Sequence, residues 1–202
     1  MKKIISVFLS VIMLVTSLCF AVSANASVNK MSGEYNYTFV SADKIAIKKY
    51  TGSESTVNIP SKIDGFTVTE ISGAFNVMDS LKKVVIPSTV TTISASFKYD
   101  SNLAEVTIPS SVKTIDAYSF CKNTALKSIV IPSSVTTLDA FQDCTSLTSI
   151  KIGDNISDIS AYAFAESPVY ENQYKKGIVY IGKCLLYCNT EAYKSSKVTV
   201  KD

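Results

Sequence analysis

A repeat of about 22 residues constrains this chain more than any other feature. Its type copy runs from Leu103 to Phe120, and its landmarks return along the sequence. Ile-Pro occurs as Ile59-Pro60, Ile86-Pro87, Ile108-Pro109 and Ile131-Pro132, with Ile152-Gly153 as a degenerate fifth copy. A closing aromatic follows as Phe75, Phe97, Phe120, Phe141 and Phe164, at steps of 22, 23, 21 and 23 residues. Six residues beyond each comes Leu81, Leu103, Leu126, Leu147 or Tyr170.

Within the type copy, Leu103, Val106 and Ile108 are apolar while Glu105 and Thr107 are polar. That alternation predicts a strand with one buried face. Pro109 fixes φ and lacks a backbone donor, so it ends the strand and turns the chain. Val112 and Ile115 predict a second short extended segment, and Asp116–Phe120 an irregular or single-turn helical return. One such unit buries too little apolar surface to offset the ordering of its own backbone, so the copies must stack. The fold class is therefore a β-rich solenoid of about five repeats over 57–170, with equivalent strands forming parallel ladders.

The flanks differ from the repeats. Lys2-Lys3, an apolar run from Ile4 to Val22 and the small-x-small Ala24-Asn25-Ala26 predict a signal peptide over 1–26. A membrane anchor of similar length is the competing reading. Residues 27–33 read as a flexible leader, and Tyr35, Tyr37, Phe39, Ile45 and Ile47 as a hairpin that covers the first repeat, the two making up 27–56. Over 171–202, Gly177–Tyr187 reads as a hairpin turning at Gly182-Lys183, and Lys197-Val-Thr-Val-Lys201 as the start of a further repeat.

Composition narrows the function. The chain carries a formal charge of +3, which falls to +1 without Lys2 and Lys3, so there is no electrostatic footprint for nucleic acid or an anionic membrane. It contains no His, which removes Ser-His-Asp and Cys-His catalysis in their usual forms, and His-ligated zinc. Cys121 and Cys144 sit just after repeat aromatics and read as buried free thiols. Cys184 and Cys188, four apart in an extended segment, are too distant to bridge each other. The pairs Asp139/Asp143 and Asp154/Asp158 are the remaining enzymatic option, a glycan-active site. Their placement at turns, where Asp bonds nearby backbone, is the structural alternative. No catalytic, cofactor or metal site is expected.

What remains is a face. Asn58, Val85, Thr107, Val130 and Lys151 should stack into one solvent-facing ladder, and Lys83, Glu105, Ser128 and Ser149 into its neighbour. Val85 and Val130 are apolar where solvent is expected, which strand propensity also explains. Tyr162, Tyr170, Tyr174, Tyr180 and Tyr187 form a second candidate surface, or the cover of the last repeat.

The unit Leu-x-x-Val-x-Ile-Pro-Ser-x-Val-x-x-Ile-(x)-Phe resembles the BspA-type, or Treponema pallidum-type, bacterial leucine-rich repeat, over residues 34–202. Tyr50-Thr-Gly52 with Ile59–Gly65 is similar to that family's first repeat, and Lys176–Lys183 to its hairpin insertion. The resemblance implies a curved solenoid, secreted or on the bacterial surface, that adheres to extracellular protein or polysaccharide and carries no catalytic residues. A structural spacer between other domains is the alternative.

Overall fold

The computed structural model describes residues 29–174, 178–181 and 184–188. The proposed signal peptide and Lys197–Lys201 lie outside the described residues.

The chain opens with three antiparallel strands, β1 (Lys30–Ser32), β2 (Tyr35–Phe39) and β3 (Lys44–Tyr50). The β2–β3 hairpin follows the alternation of its aromatic and aliphatic residues. Its turn closes as the Val40 and Ser41 amides donate to the Lys44 carbonyl at 2.8 and 3.2 Å. Strand β1 corrects the reading of 27–33 as a leader. It is held from a distance: the Ser32 and Tyr37 hydroxyls donate to the Asp64 carboxylate at 2.6 and 2.8 Å, which lowers the pKa of that carboxyl.

The solenoid follows. β4 (Thr56–Asn58) leads to a tight hairpin of β5 (Lys62–Ile63) and β6 (Phe66–Ser72). Its two turn residues, Asp64 and Gly65, both have positive φ, 51° and 84°, as a primed hairpin turn requires. Then come β7 (Lys83–Val85), β8 (Thr92–Ser94), β9 (Glu105–Thr107), β10 (Thr114–Asp116), β11 (Ser128–Ile131), β12 (Thr137–Leu138), β13 (Ser149–Ile152) and β14 (Asp158–Ile159). One sheet runs unbroken through β6, β8, β10, β12 and β14, all parallel. β3 pairs parallel with β6, so the N-terminal strands extend this sheet and close its end. The Ile-Pro strands form the opposite sheet, in two blocks: β4–β7–β9 and β11–β13.

Between the sheets the five phenylalanines stack like coins. Ring centroids from Phe75 to Phe164 are 5.0, 5.0, 5.4 and 5.5 Å apart and the planes deviate by at most 12°. Tyr50 of the cap supplies the next ring, 4.9 Å from Phe75. Phe97, Phe120 and Phe141 thus bury both faces against copies of themselves, as stacking demands of a unit that cannot fold alone.

The return after each aromatic is an irregular turn and not a helical one. The residue two beyond each Phe is left-handed in all five copies: Val77, Tyr99, Lys122, Asp143 and Glu166 have φ of 60°, 63°, 62°, 59° and 59°. The reason is visible in the first four. Their amides donate to the carbonyls of Lys98, Cys121, Gln142 and Ala165, each one repeat further on, at 2.9, 2.9, 2.9 and 2.8 Å. The next position is turned inward. Asp100 Oδ1 accepts the Met78 amide at 2.6 Å, and Asn123 Oδ1 accepts the Asp100 amide at 3.1 Å. The Cys144 thiol donates to the Phe120 carbonyl at 3.2 Å, and burial pushes its pKa up to about 12. Cys121 and Cys144 are buried and unbridged, as the sequence suggested.

Gly153 takes the place of proline in the fifth copy because the chain is crowded there. A Cβ on it would lie 2.2 Å from Ser133 Cα. Past Phe164 the sequence gives no strand but a short helix, α1 (Pro168–Tyr174), with proline at its first position and the Ser167 hydroxyl accepting the Tyr170 amide at 3.4 Å. Val169 and Tyr170 pack against the core. β15 (Ile178–Ile181) and β16 (Cys184–Cys188) form the antiparallel hairpin expected around Gly182-Lys183.

Candidate recognition face

The Ile-Pro strands place every ladder residue where the alternation puts it. In one block Asn58 pairs with Val85, Val85 with Thr107, and Lys83 with Glu105. In the other, Ser128 pairs with Ser149 and Val130 with Lys151. The intervening Val57, Val84 and Ile129 are buried, so the nine ladder side chains stand on the outer surface. Lys83 and Glu105 form a salt bridge of 2.7 Å with both side chains substantially exposed. Val130 is 58 % exposed, and Val85 is half-buried. Val130 is thus an isolated apolar protrusion in a polar row.

One part of the expected ladder does not form. Between β9 and β11 the strands separate, so Thr107 and Val130 belong to different sheets. A cleft of about 440 Å³ opens there, with Val106, Thr107 and Ile108 on one wall and Ser128, Ile129 and Val130 on the other. Directly behind it, β10 and β12 remain paired, Thr114 with Thr137 and Ile115 with Leu138.

The sequence missed a second exposed feature. Tyr99 and Tyr118 are 50 % and 45 % exposed on the aromatic turns, with the Lys122 ammonium 5.2 Å from the Tyr99 ring centroid. In the other tyrosine group, Tyr162 is exposed and Tyr170 half-buried against the core, while the side chains of Tyr174, Tyr180 and Tyr187 lie outside the described residues. As for the paired aspartates, Asp154 and Asp158 are exposed, Asp139 and Asp143 are half-buried, and none of the four lines the cleft.

The repeat geometry agrees with the comparison against protein families. The BspA type leucine-rich repeat region matches in six copies, over residues 44–171 and 122–197. The chain belongs to this family. Among solved structures, the BspA-type chain is similar to a leucine-rich repeat protein of T. pallidum, at 30 % identity and a TM-score of 0.64 over 68 % of this chain and 67 % of that one. It also shares its fold with a leucine-rich cell-surface protein of Faecalibacterium prausnitzii, at 24 % identity and 0.54 over 71 % of this chain and 48 % of the other. The pneumococcal vaccine antigen PcpA matches at 20 % identity and 0.58, over 71 % and 43 %. The chain therefore spans about half or less of these last two. No protein of curated function matches it in sequence.

Proposed function

We propose that this BspA-type chain is a non-catalytic recognition module, exported by the signal sequence at residues 1–26 and acting outside the cell. It adheres to an extracellular protein or polysaccharide through the Ile-Pro strand face. The observation that carries this reading is the face itself: nine outward side chains, five in register on β4–β7–β9 and four on β11–β13, mostly polar, with Val130 projecting among them. A surface of this kind, with strands hydrogen-bonded within each block, is what solenoids use for recognition. The surface location of the F. prausnitzii protein supports the setting.

The test is binding of purified 27–202 to a panel of matrix proteins, mucins and polysaccharides at two salt concentrations. A saturable, selective ligand lost in Val85→Glu/Thr107→Glu/Val130→Glu, with cooperative unfolding retained, supports the face. Unchanged binding in that variant removes it.

A further inference from the structure

The chain is nearly neutral, but its two sheets are not. Counting each strand with the residue on either side of it, β4, β7, β9, β11 and β13 carry Lys82, Lys83, Lys127 and Lys151 against Glu105, a formal +3. Counted alike, β6, β8, β10, β12 and β14 carry Lys113 against Glu70, Asp116, Asp139 and Asp158, a formal −3. The charges are thus segregated to opposite sides of the solenoid. On the Ile-Pro side Lys83 neutralises Glu105 at 2.7 Å, which leaves Lys82, Lys127 and Lys151 exposed and without an ion-pair partner among the described residues. The nearest acids in sequence, Glu54, Asp79 and Asp154, lie in the loops that enter or leave these strands and form no ion pair with the lysines.

The lysines are also spaced. The Ala104 and Thr148 amides donate to the Lys82 and Lys127 carbonyls at 2.9 and 3.0 Å, so the four residues mark the same point of successive repeats. Lys82 and Lys127 are two strands apart, roughly 10 Å, and Lys151 lies one strand and three residues further on, roughly 10 Å again. Between them stand the exposed hydroxyls of Thr107, Ser128, Thr148 and Ser149.

Resting on the recognition reading above, we infer that the ligand of this face is a linear polysaccharide bearing anionic groups, carboxylate or sulfate. It lies across the strands from Lys82, over the seam between β9 and β11, to Lys151. Separated cations with hydroxyls between them match a polymer that alternates fixed charges with hydroxyls of its own. A folded protein partner is held by aromatic and Arg anchors, and these five strands carry neither. For the same reason an uncharged sugar finds no ring to stack on. A second copy would have to offer its acidic side. There Glu70, Asp116 and Asp139 are half-buried, and one carboxylate oxygen of each aspartate is enclosed.

The test measures binding of the secreted chain to polygalacturonate, heparin, methyl-esterified polygalacturonate and duplex DNA over a range of salt. Lys82→Gln, Lys127→Gln and Lys151→Gln are made singly and together, with Lys113→Gln on the opposite side as the control. The expected result is binding to polygalacturonate or heparin that weakens with salt and falls at least about tenfold in the triple variant. Each single variant should lose part of it, which keeps the test valid should the triple variant unfold, and Lys113→Gln should bind as wild type. No binding to either anionic polymer overturns the inference, as does equal binding to the methyl-esterified form or to DNA, or an equal loss in Lys113→Gln. Self-association without polymer that the triple variant abolishes also overturns it, because a second copy would then be the occupant. A panel ligand lost in Val85→Glu/Thr107→Glu/Val130→Glu but indifferent to salt and to the lysines would leave the recognition face standing and remove the anionic polysaccharide alone.

Discussion

Asp100 makes stability depend on pH in an unusual direction. Its side chain is fully buried at the inward position after Phe97; Oδ1 is bonded to the Met78 amide and Oδ2 has no partner. Burial, with the nearby Asp79 charge added and the Met78 bond opposing, pushes its pKa to about 7. In the unfolded chain the group titrates near about 3.9. Between those values the folded state holds a proton that the unfolded state releases, so stability from this site is complete below about pH 4 and declines as pH rises through about 7. A gap of about three pKa units corresponds to about 4 kcal/mol at pH 8. Asp100→Asn keeps the shape and the acceptor for Met78, and reproduces the residue found one repeat later at Asn123. Urea unfolding of both proteins at pH 4, 6 and 8 should give similar stabilities at pH 4 and a variant more stable by up to about 4 kcal/mol at pH 8. A constant difference across the three pH values would refute the argument, as would a wild type that gains on the variant with rising pH.

Three other perturbations follow from the stack. Phe120→Ala removes a ring packed on both faces, at 5.0 and 5.4 Å, and should lower stability by about 3–5 kcal/mol in chemical unfolding. Val77→Asn places a residue tolerant of left-handed backbone where an exposed β-branched one now sits, and should raise stability by about 1 kcal/mol, seen as a higher Tm. Gly153→Ala drives a methyl into the Ser133 backbone and should destabilise by about 1–3 kcal/mol, read by the same unfolding assay.

The fold was legible to the extent that it repeats. Ile-Pro and Phe at near-constant spacing determine which residues stack, and the register pairs Lys83 with Glu105 and Val130 with Lys151 as the alternation requires. What escaped has causes that do not recur. Lys30-Met-Ser32 shows no alternation, and its strand is pinned by Asp64, a contact 32 residues away. The left-handed turns fall on Val77, Tyr99 and Lys122, residue types that signal nothing of the sort, because inter-repeat bonding outweighs local preference. The helix at Pro168 was not read, although Ser167-Pro168 is a helix-start signal. The alternation gave the outward position of the ladder residues on each strand, whereas the break between β9 and β11 was not legible. No spacing signal marks the separation of β9 from β11: Leu103 to Leu126 and Ile108 to Ile131 step by 23 residues, as do the paired Thr114 and Thr137 behind them.

That break gives the molecule a mechanical asymmetry. The sheet from β6 to β14 is hydrogen-bonded throughout, as is the row of turns after the aromatics, and together they make an inextensible spine. The Ile-Pro side is stitched everywhere except at one joint. Bending about the spine therefore concentrates its strain at that joint, which widens or narrows while the repeats on either side move as rigid blocks. A pull applied along the stack would be felt first as a change in the width of the seam, so a molecule under tension presents a different cleft from one at rest.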